Sequence, residues 1–571
     1  MCKPGANSVL LLFLAASFFL GCRSDPTPFD YLTEQSMLFD TAAVSCAHPL
    51  ASEVGADILR AGGNAADAAV AVQFALAVVY PRAGNLGGGG FMVIRLNNGE
   101  ATALDYRERA PAAAARDMYL DADGNPIDSL SRSGHLSVGV PGTVAGMVAA
   151  HARYGSLPWA DLVQPAIELA RRGFRLSPTE AERFNEYQEE FARYHAPGSV
   201  FLKDEWRPGD RLKQEHLAET LERIRDNRRG GFYTGRTAEL LVEEMQRGGG
   251  LITTADLKNY QAVWRNPVRG TYHNYELISM PPPSSGGVAL AQLLQISDDY
   301  PLASLGFHSP EAIHLMAEAE RRVYADRAEY LGDPDYFPIP LDTLLNEDYL
   351  RLRMADFDPK QAGTSERVRA GQFAMPESFE TTHTSVVDGE RNAVSVTTTL
   401  NLNFGSKVLV RGAGFFLNDE MDDFSAKPGT PNYFGLIGAE ANAIAPGKRM
   451  LSSMSPTIVT REGELFLVLG APGGSTIITS VYQVFLNIAA FGLPADEAVE
   501  AGRFHHQWLP DQIRIEEGAL PEATITRLRS MGHEIEERGR MAVVKAIQVL
   551  PDGKLHAVAD GRNPDDDVAG F

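Results

Sequence analysis

The sequence predicts a layered α/β fold. Three observations carry it: helical text fills most of the first 360 residues, an apolar strand already interrupts it at Phe91 to Arg95, and short β-branched runs crowd the chain just after residue 381. Helices that flank a block of strands on both sides in sequence must cover the faces of a sheet. A length of 571 residues allows two or three average domains or one large unit, and no fixed-period repeat divides it.

The first ordered stretch, Ser45 to about Val79, is rich in Ala and Gly and reads as two helices, Ala51 to Leu59 and Asn64 to Val79, split by Gly62-Gly63. Gly84-Asn85-Leu86-Gly87-Gly88-Gly89-Gly90 then marks a loop where backbone approaches something closely, ahead of a buried strand. Leu157 to about Tyr260 is charged, with Glu and Arg four apart, and reads as a solvated helical layer. Pro281 to Gly287 is a stiff turn into an apolar helix from Val288 to Ile296, and a further helix is predicted around Glu311 to Tyr330. Between Lys360 and Glu380 apolar periodicity gives way to Gln, Gly, Ser and charges, as in an exposed linker. Strands are predicted at Thr384 to Val387, Ala393 to Thr399 and Lys407 to Val410, and a hairpin from Thr457 to Leu469 turns at Arg461-Glu462-Gly463.

Hydrophobic residues at 44% and charged residues at 22% are ordinary globular usage. The formal net charge of -22 argues against nucleic acid or an anionic membrane as partner, because a phosphate backbone is bound by a surplus of Lys and Arg. An anionic small substrate would need a local cationic clamp set into this acidic surface. At the start, Lys3, the apolar run Val9 to Leu20, and Gly21-Cys22 before Arg23-Ser24-Asp25 have the layout of a secretory signal over residues 1–21. Phe19-Leu20-Gly21-Cys22 resembles a lipoprotein cleavage box, with Phe19 where Leu is usual, which would leave Cys22 to carry lipid; an ordinary signal cut nearby is the alternative. Either way the expectation is export to the periplasm or cell envelope. Three cysteines, two of them in this segment, leave Cys46 without an obvious partner and exclude a disulfide scaffold.

Glu380-Thr381-Thr382-His383-Thr384-Ser385 has a linker behind it and a strand ahead, and opens on a hydroxyl. Attack of the Thr381 hydroxyl on the Glu380 carbonyl would form an ester whose hydrolysis frees an N-terminal Thr. Its α-amine, with a reference pKa of about 7.7 to 8.0, can serve as its own general base. On local chemistry alone, the same residues more often start an ordinary strand.

Several blocks together resemble the gamma-glutamyltranspeptidase family in its own order. They are Thr381 to Asp388, Thr399-Leu400-Asn401, Asn418 to Ser425, Leu451 to Thr457 and Gly470 to Ser475, preceded by Gly84 to Phe91, Leu104 to Glu108, Gly139 to Gly142 and Pro281 to Gly287. The resemblance implies the N-terminal nucleophile hydrolase fold, a four-layer αββα sandwich. It also implies autocleavage between Glu380 and Thr381 into a large subunit 22–380 and a small catalytic subunit 381–571 that stay together as a heterodimer. Thr381 would be the nucleophile, Thr399 its orienting neighbour, and Gly473 and Gly474 the oxyanion hole, where missing side chains let backbone N–H groups approach. Arg107, Ser452 and Ser453 would hold the donor's α-carboxylate, and Asn401, Glu420 and Asp423 its ammonium. Lys427 to Lys448 resembles the family's lid loop, with Phe434 where the gating aromatic is often Tyr.

The implied activity is that of a gamma-glutamyltransferase and glutathione hydrolase, passing an acyl group from glutathione or a similar amide to water or to an amino acid or peptide acceptor. No metal or organic cofactor is implied. The alternatives are a glutaryl-type acylase, which would not need Glu420 and Asp423, a poly-gamma-glutamate hydrolase, which would need an open groove, and a non-processing envelope binding protein. His505-His506 lacks further ligands nearby in sequence and reads as core or turn histidines. Asp121 to Asn125 reads as a turn rather than a calcium loop, and Asp565-Asp566-Asp567 as a solvent-exposed tail.

Overall fold

The computed structural model describes residues 31–368, 381–430, 432 and 435–571. Cys22, the leader, Glu380 and Phe434 lie outside the described residues.

Two seven-stranded sheets, antiparallel throughout, form the centre. In the first, the strands β1 (Ser36–Phe39), β6 (Val268–Tyr272), β7 (Tyr275–Ser279), β10 (Thr457–Arg461), β11 (Glu464–Gly470), β12 (Lys545–Val549) and β13 (Leu555–Ala559) lie in the order β1-β13-β12-β11-β10-β7-β6. In the second, β2 (Ala43–Cys46), β3 (Gly89–Arg95), β4 (Ala101–Asp105), β5 (Val263–Arg265), β8 (Thr382–Val387), β9 (Ala393–Thr399) and β14 (Asp567–Gly570) lie in the order β14-β2-β8-β9-β3-β4-β5. The hairpins β8–β9 and β10–β11 put the sequence-adjacent strands at the middle of their sheets.

Alternation along each strand decides what it faces. In β3, Phe91 and Val93 belong to the core shared with the other sheet, while Met92 and Ile94 face helices α1 (Pro49–Arg60) and α2 (Ala65–Val79). Helix α2 starts on a capping box between Asn64 and Asp67 and is buried on every side, as its nearly continuous apolar text requires. On the far side, α4 (Gly286–Asp298), α5 (Pro310–Tyr330) and α6 (Thr476–Ala489) cover the first sheet, while α3 (Trp159–Arg172) lies behind α2. Hydroxyls stitch the two sheets together: Ser395 donates to the Leu469 carbonyl at 3.1 Å and accepts from Thr457 N at 2.9 Å. His383 lies in this layer against Thr397 Oγ1 at 2.8 Å, and burial holds its pKa well below the usual histidine value.

The paired early helices, the buried strand after the glycines, the hairpin at Arg461-Glu462-Gly463 and the helix after the proline turn all form as the sequence predicts. Asp121 accepts from the N–H groups of Asp123 and Asn125, a turn as expected, and His505 and His506 are fully buried core residues. Among the described residues no helix is long and apolar enough to cross a membrane.

Four expectations need correction. Lys407 to Val410 is not a strand: Phe404, Gly405 and Lys407 adopt positive φ, and only Leu409 bridges, to Phe416, so this segment folds over an aromatic cluster instead. The layer from Leu157 to Tyr260 is solvated on one face only, since Leu162, Val163, Ile167, Leu217, Leu221 and Leu241 enter the core. The linker starts later than Lys360, because Ser365–Val368 forms a short helix with Ser365 and Val368 buried. The acidic tail is not exposed: Asp565, Asp566 and Asp567 are all buried as the chain enters β14, and Lys545 meets Asp566 at 2.7 Å.

Candidate active site

The site forms at the end of the central strand pair. Thr381 immediately precedes β8, and the register Thr382–Thr398 sets it beside Thr399, where β9 ends. Thr399 in turn pairs with Gly89 of β3, and its carbonyl lies where a Cβ on Gly88 would have to be, 2.1 Å away. The glycine run is therefore a matter of space: the loop packs against the nucleophile's neighbour more closely than any side chain permits. Thr399 Oγ1 accepts from Asn401 N at 2.8 Å, and Asn401, in the left-handed region at φ 76, donates from Nδ2 to the Asp419 carbonyl at 3.1 Å.

Arg107 follows β4, its N–H fixed by Asp105 Oδ1 at 3.0 Å. Its guanidinium is buried, hydrogen-bonded and ion-paired to Glu420 and to Asp423, and lies 3.8 Å from Glu108. Burial works against the Arg107 charge, but Glu420 and Asp423 outweigh it and raise its pKa. The acids feel the same burial: it pushes Asp423 up to about 6 and Glu108 up to about 7, and drives Glu420 well above the carboxylate range, against the pull of Arg107. Three carboxylates, Glu108 and Glu420 buried and Asp423 partly so, crowd Arg107, and even with the Arg327 charge also acting on Asp423 this corner is short of positive charge. One oxygen of Glu420 has no hydrogen-bond partner among the described residues.

Ser452 is set by the proline turn, its N–H donating to the Pro283 carbonyl at 2.9 Å and its carbonyl accepting from Ser285 N at 2.8 Å. Ser453 Oγ accepts from Arg327 Nη2 at 3.1 Å. Gly473 and Gly474 lie between β11 and the amino end of α6, whose dipole favours negative charge at that point, and their carbonyls accept from Thr476 N at 3.1 Å and Ile477 N at 3.3 Å. At Gly473, φ is 141 and an added Cβ would strike Ala542.

One cavity gathers these groups: Thr381, Thr399, Asn401, Arg107, Glu420, Asp423, Ser452, Ser453 and Gly474 all line it. Gly473 stands one residue behind the wall. Between these side chains the cavity leaves about 20 Å³, room for about one water.

A model of the family described as gamma-glutamyltranspeptidase matches residues 51–570. The chain belongs to the gamma-glutamyltranspeptidase family. It is 47% identical over 566 residues to a glutathione hydrolase proenzyme of Escherichia coli, covering 98% of this chain and 97% of that one. Among solved structures, a cephalosporin acylase from Bacillus halodurans superimposes with a TM-score of 0.82 at 26% identity, over 96% of this chain and 99% of that one. A gamma-glutamyltranspeptidase chain of Helicobacter pylori is 44% identical with a TM-score of 0.55, covering 58% of this chain and 96% of that one.

Sequence reasoning on this family member missed Arg327. It is fully buried on α5, lines the cavity, donates from Nε to Ser285 Oγ at 2.9 Å, and has its pKa lowered to about 10 by burial. Nothing in Glu320-Arg321-Arg322-Val323-Tyr324-Ala325-Asp326-Arg327 separates it from the neighbouring arginines. Leu436 also lines the cavity, which places part of the segment Lys427 to Lys448 at the site. Elsewhere, His314, Glu318 and His533 approach closely enough to share a metal ion, but Glu318 is already paired with Arg321 and Arg322.

Proposed function

We propose that this chain is a gamma-glutamyltransferase and glutathione hydrolase, made as a proenzyme and activated by its own cut between Glu380 and Thr381. Thr381 Oγ attacks the Glu380 carbonyl, the amide becomes an ester, and water releases subunits 22–380 and 381–571 as a heterodimer. The freed Thr381 α-amine then takes the proton of its own hydroxyl as Oγ attacks the gamma-carbonyl of glutathione or a similar amide. The resulting gamma-glutamyl ester passes to water or to an amino acid or peptide acceptor. The printed name of the Escherichia coli relative, a glutathione hydrolase proenzyme, supports both halves of this reading.

The observation that carries the reading is the placement of Thr381 in one cavity with a buried cation and buried anions. A donor's α-carboxylate would displace the acids from Arg107, with Ser452 and Ser453 adding donors. Its ammonium would take Glu420, Asp423 and Asn401, relieving the excess of negative charge. Gly473 and Gly474, backed by the α6 amino end, would receive the oxyanion, and Thr399 would orient Thr381. The two large antiparallel sheets between helices support an αββα sandwich of the N-terminal nucleophile type. Export, with Cys22 as a lipid-anchoring site, remains part of the proposal on the signal alone.

A second reading, a glutaryl-type acylase, draws on the likeness to the cephalosporin acylase. Glutaryl groups lack the ammonium and leave Glu420 and Asp423 without a purpose. Intact mass and N-terminal sequencing of wild type and Thr381→Ala, with release of nitroaniline from gamma-glutamyl and glutaryl anilides, tests both. Two chains, one starting at Thr381, with gamma-glutamyl turnover in wild type and a single inactive chain in the variant, is the expected result. Preference for the glutaryl anilide would establish the acylase, and an uncut wild-type chain would remove the enzyme reading.

A further inference from the structure

The cavity beside Thr381 holds two buried arginines with opposite surroundings. Arg107 is crowded by acids, whereas Arg327 of α5 has no acid within ion-pair distance among the described residues, and the Asp423 charge acts on it from further off. Burying a guanidinium without a paired carboxylate is costly, which is why its pKa falls to about 10. Its side-chain hydrogen bonds go to neutral hydroxyls: Nε donates to Ser285 Oγ at 2.9 Å and Nη2 to Ser453 Oγ at 3.1 Å. Ser285 Oγ passes its own proton to the Ser452 carbonyl at 2.6 Å, so one arginine braces both serines of the pair.

A hydroxyl has one proton to give and lone pairs that accept. Ser453 Oγ accepts from Arg327, Ser452 Oγ accepts from Met454 N at 3.1 Å, and among the described residues neither hydroxyl finds an acceptor for its proton. Both serines line the cavity, so the pair is set to donate, and what it lacks is an anion.

We infer that Arg327 is a positioning residue for the donor: it makes the Ser453 hydroxyl a dedicated donor to the α-carboxylate of the gamma-glutamyl group and supplies the unmatched charge that selects that carboxylate. The inference rests on the gamma-glutamyl reading above. At Arg107 an entering carboxylate competes with the acids already there, whereas near Arg327 it neutralises a charge that no acid pairs with. The same charge disfavours an ammonium at Ser453 and leaves it to Glu420 and Asp423, so the two charged groups of the donor are sorted to opposite sides.

Inhibition constants separate the two groups. Glutamate carries both, and gamma-aminobutyrate lacks the α-carboxylate alone. Arg327→Met should weaken glutamate about thirtyfold and gamma-aminobutyrate by less than about threefold, with the loss for gamma-glutamyl nitroanilide in KM rather than kcat. Arg327→Lys keeps the charge but not both bonds and should lose less. Ser285→Ala keeps the guanidinium but frees Nε, and should weaken glutamate about threefold with gamma-aminobutyrate unchanged. Because Arg327 acts through Ser453, Arg327→Met combined with Ser453→Ala should bind glutamate within about threefold of Arg327→Met alone. Equal weakening of both ligands in Arg327→Met, or in Arg327→Lys and Ser285→Ala where the Met variant does not fold, assigns the arginine to the core and overturns the inference. Losses that multiply in the double variant overturn the action through Ser453. A processed wild type that releases no nitroaniline from the gamma-glutamyl anilide sinks the donor reading instead, so the two failures are distinguishable.

Discussion

Two acidic runs, Glu420-Met421-Asp422-Asp423 and Asp565-Asp566-Asp567, look alike as text, and the fold buries both. They differ in what faces them. In the first, Glu420 and Asp423 share Arg107 with Glu108 close by, so acids outnumber the cation they pair with. In the second, each acid has its own partners: Asp565 accepts from Ser177 at 2.7 Å, Asp566 meets Lys545, and Asp567 accepts from Ser52 and from Glu34 N. A run in excess of its partners can take in an ammonium from outside. A run matched within the chain fixes β14 at the edge of its sheet.

The largest effect expected of this contrast falls on the matched run. At pH 8, Asp566→Ala leaves the Lys545 ammonium buried and unpaired, which costs about 3–5 kcal/mol of unfolding free energy. Urea unfolding of the processed protein checks it, and a loss below about 1 kcal/mol would break the distinction. Glu420→Gln should do the opposite. Burial alone favours the protonated Glu420 carboxyl, and a donor's ammonium beside it draws it into the charged form, so the substitution lowers donor kcat/KM roughly thirtyfold through KM, within about 1.5–3 kcal/mol for a charged hydrogen bond, and shifts unfolding by less than about 1 kcal/mol. Initial rates and the same urea experiment read both numbers.

The smallest effect is in pH. Burial pushes Asp423 up to about 6, so below that pH it holds a proton and cannot pair with a ligand's ammonium. The inhibition constant of free glutamate, which carries the same ammonium and α-carboxylate, should therefore weaken as pH falls through about 6, by at most tenfold per unit. Asp423→Asn should bind weakly and lose that limb, while Asp566→Ala should keep it because Asp566 lies outside the small pocket. A limb retained in Asp423→Asn would assign the titration to another carboxylate, with Glu108, pushed up to about 7, the first to try.

Much of this was legible before any coordinates. The Gly62-Gly63 break, the helices on either side of it and the turn at Arg461-Glu462-Gly463 are local signals, resolved by backbone freedom and short-range hydrogen bonds within a few residues. Lys407 to Val410 misled for the same reason. Its β-branched text is a weak preference, and the left-handed turn and aromatic packing around Phe404 and Phe416 overrode it. Most residues that line the cavity with Thr381 were legible as family blocks, but Arg327 was not, because Arg321 and Arg322 are charged the same way and equally buried, and only its place in the cavity beside the Ser285 and Ser453 hydroxyls sets it apart.

By itself the sequence determined the helices and hairpins, the position of Thr381 at the start of a strand, and the residue types a gamma-glutamyl donor requires. Tertiary structure alone decided which charges meet. Arg107 and Glu420 are 313 residues apart, and Lys545 reaches Asp566 only because β12 and the turn into β14 converge between the sheets. Local preference acts over a few residues, whereas the energy of a buried charge depends on every group the fold brings within a few ångströms of it.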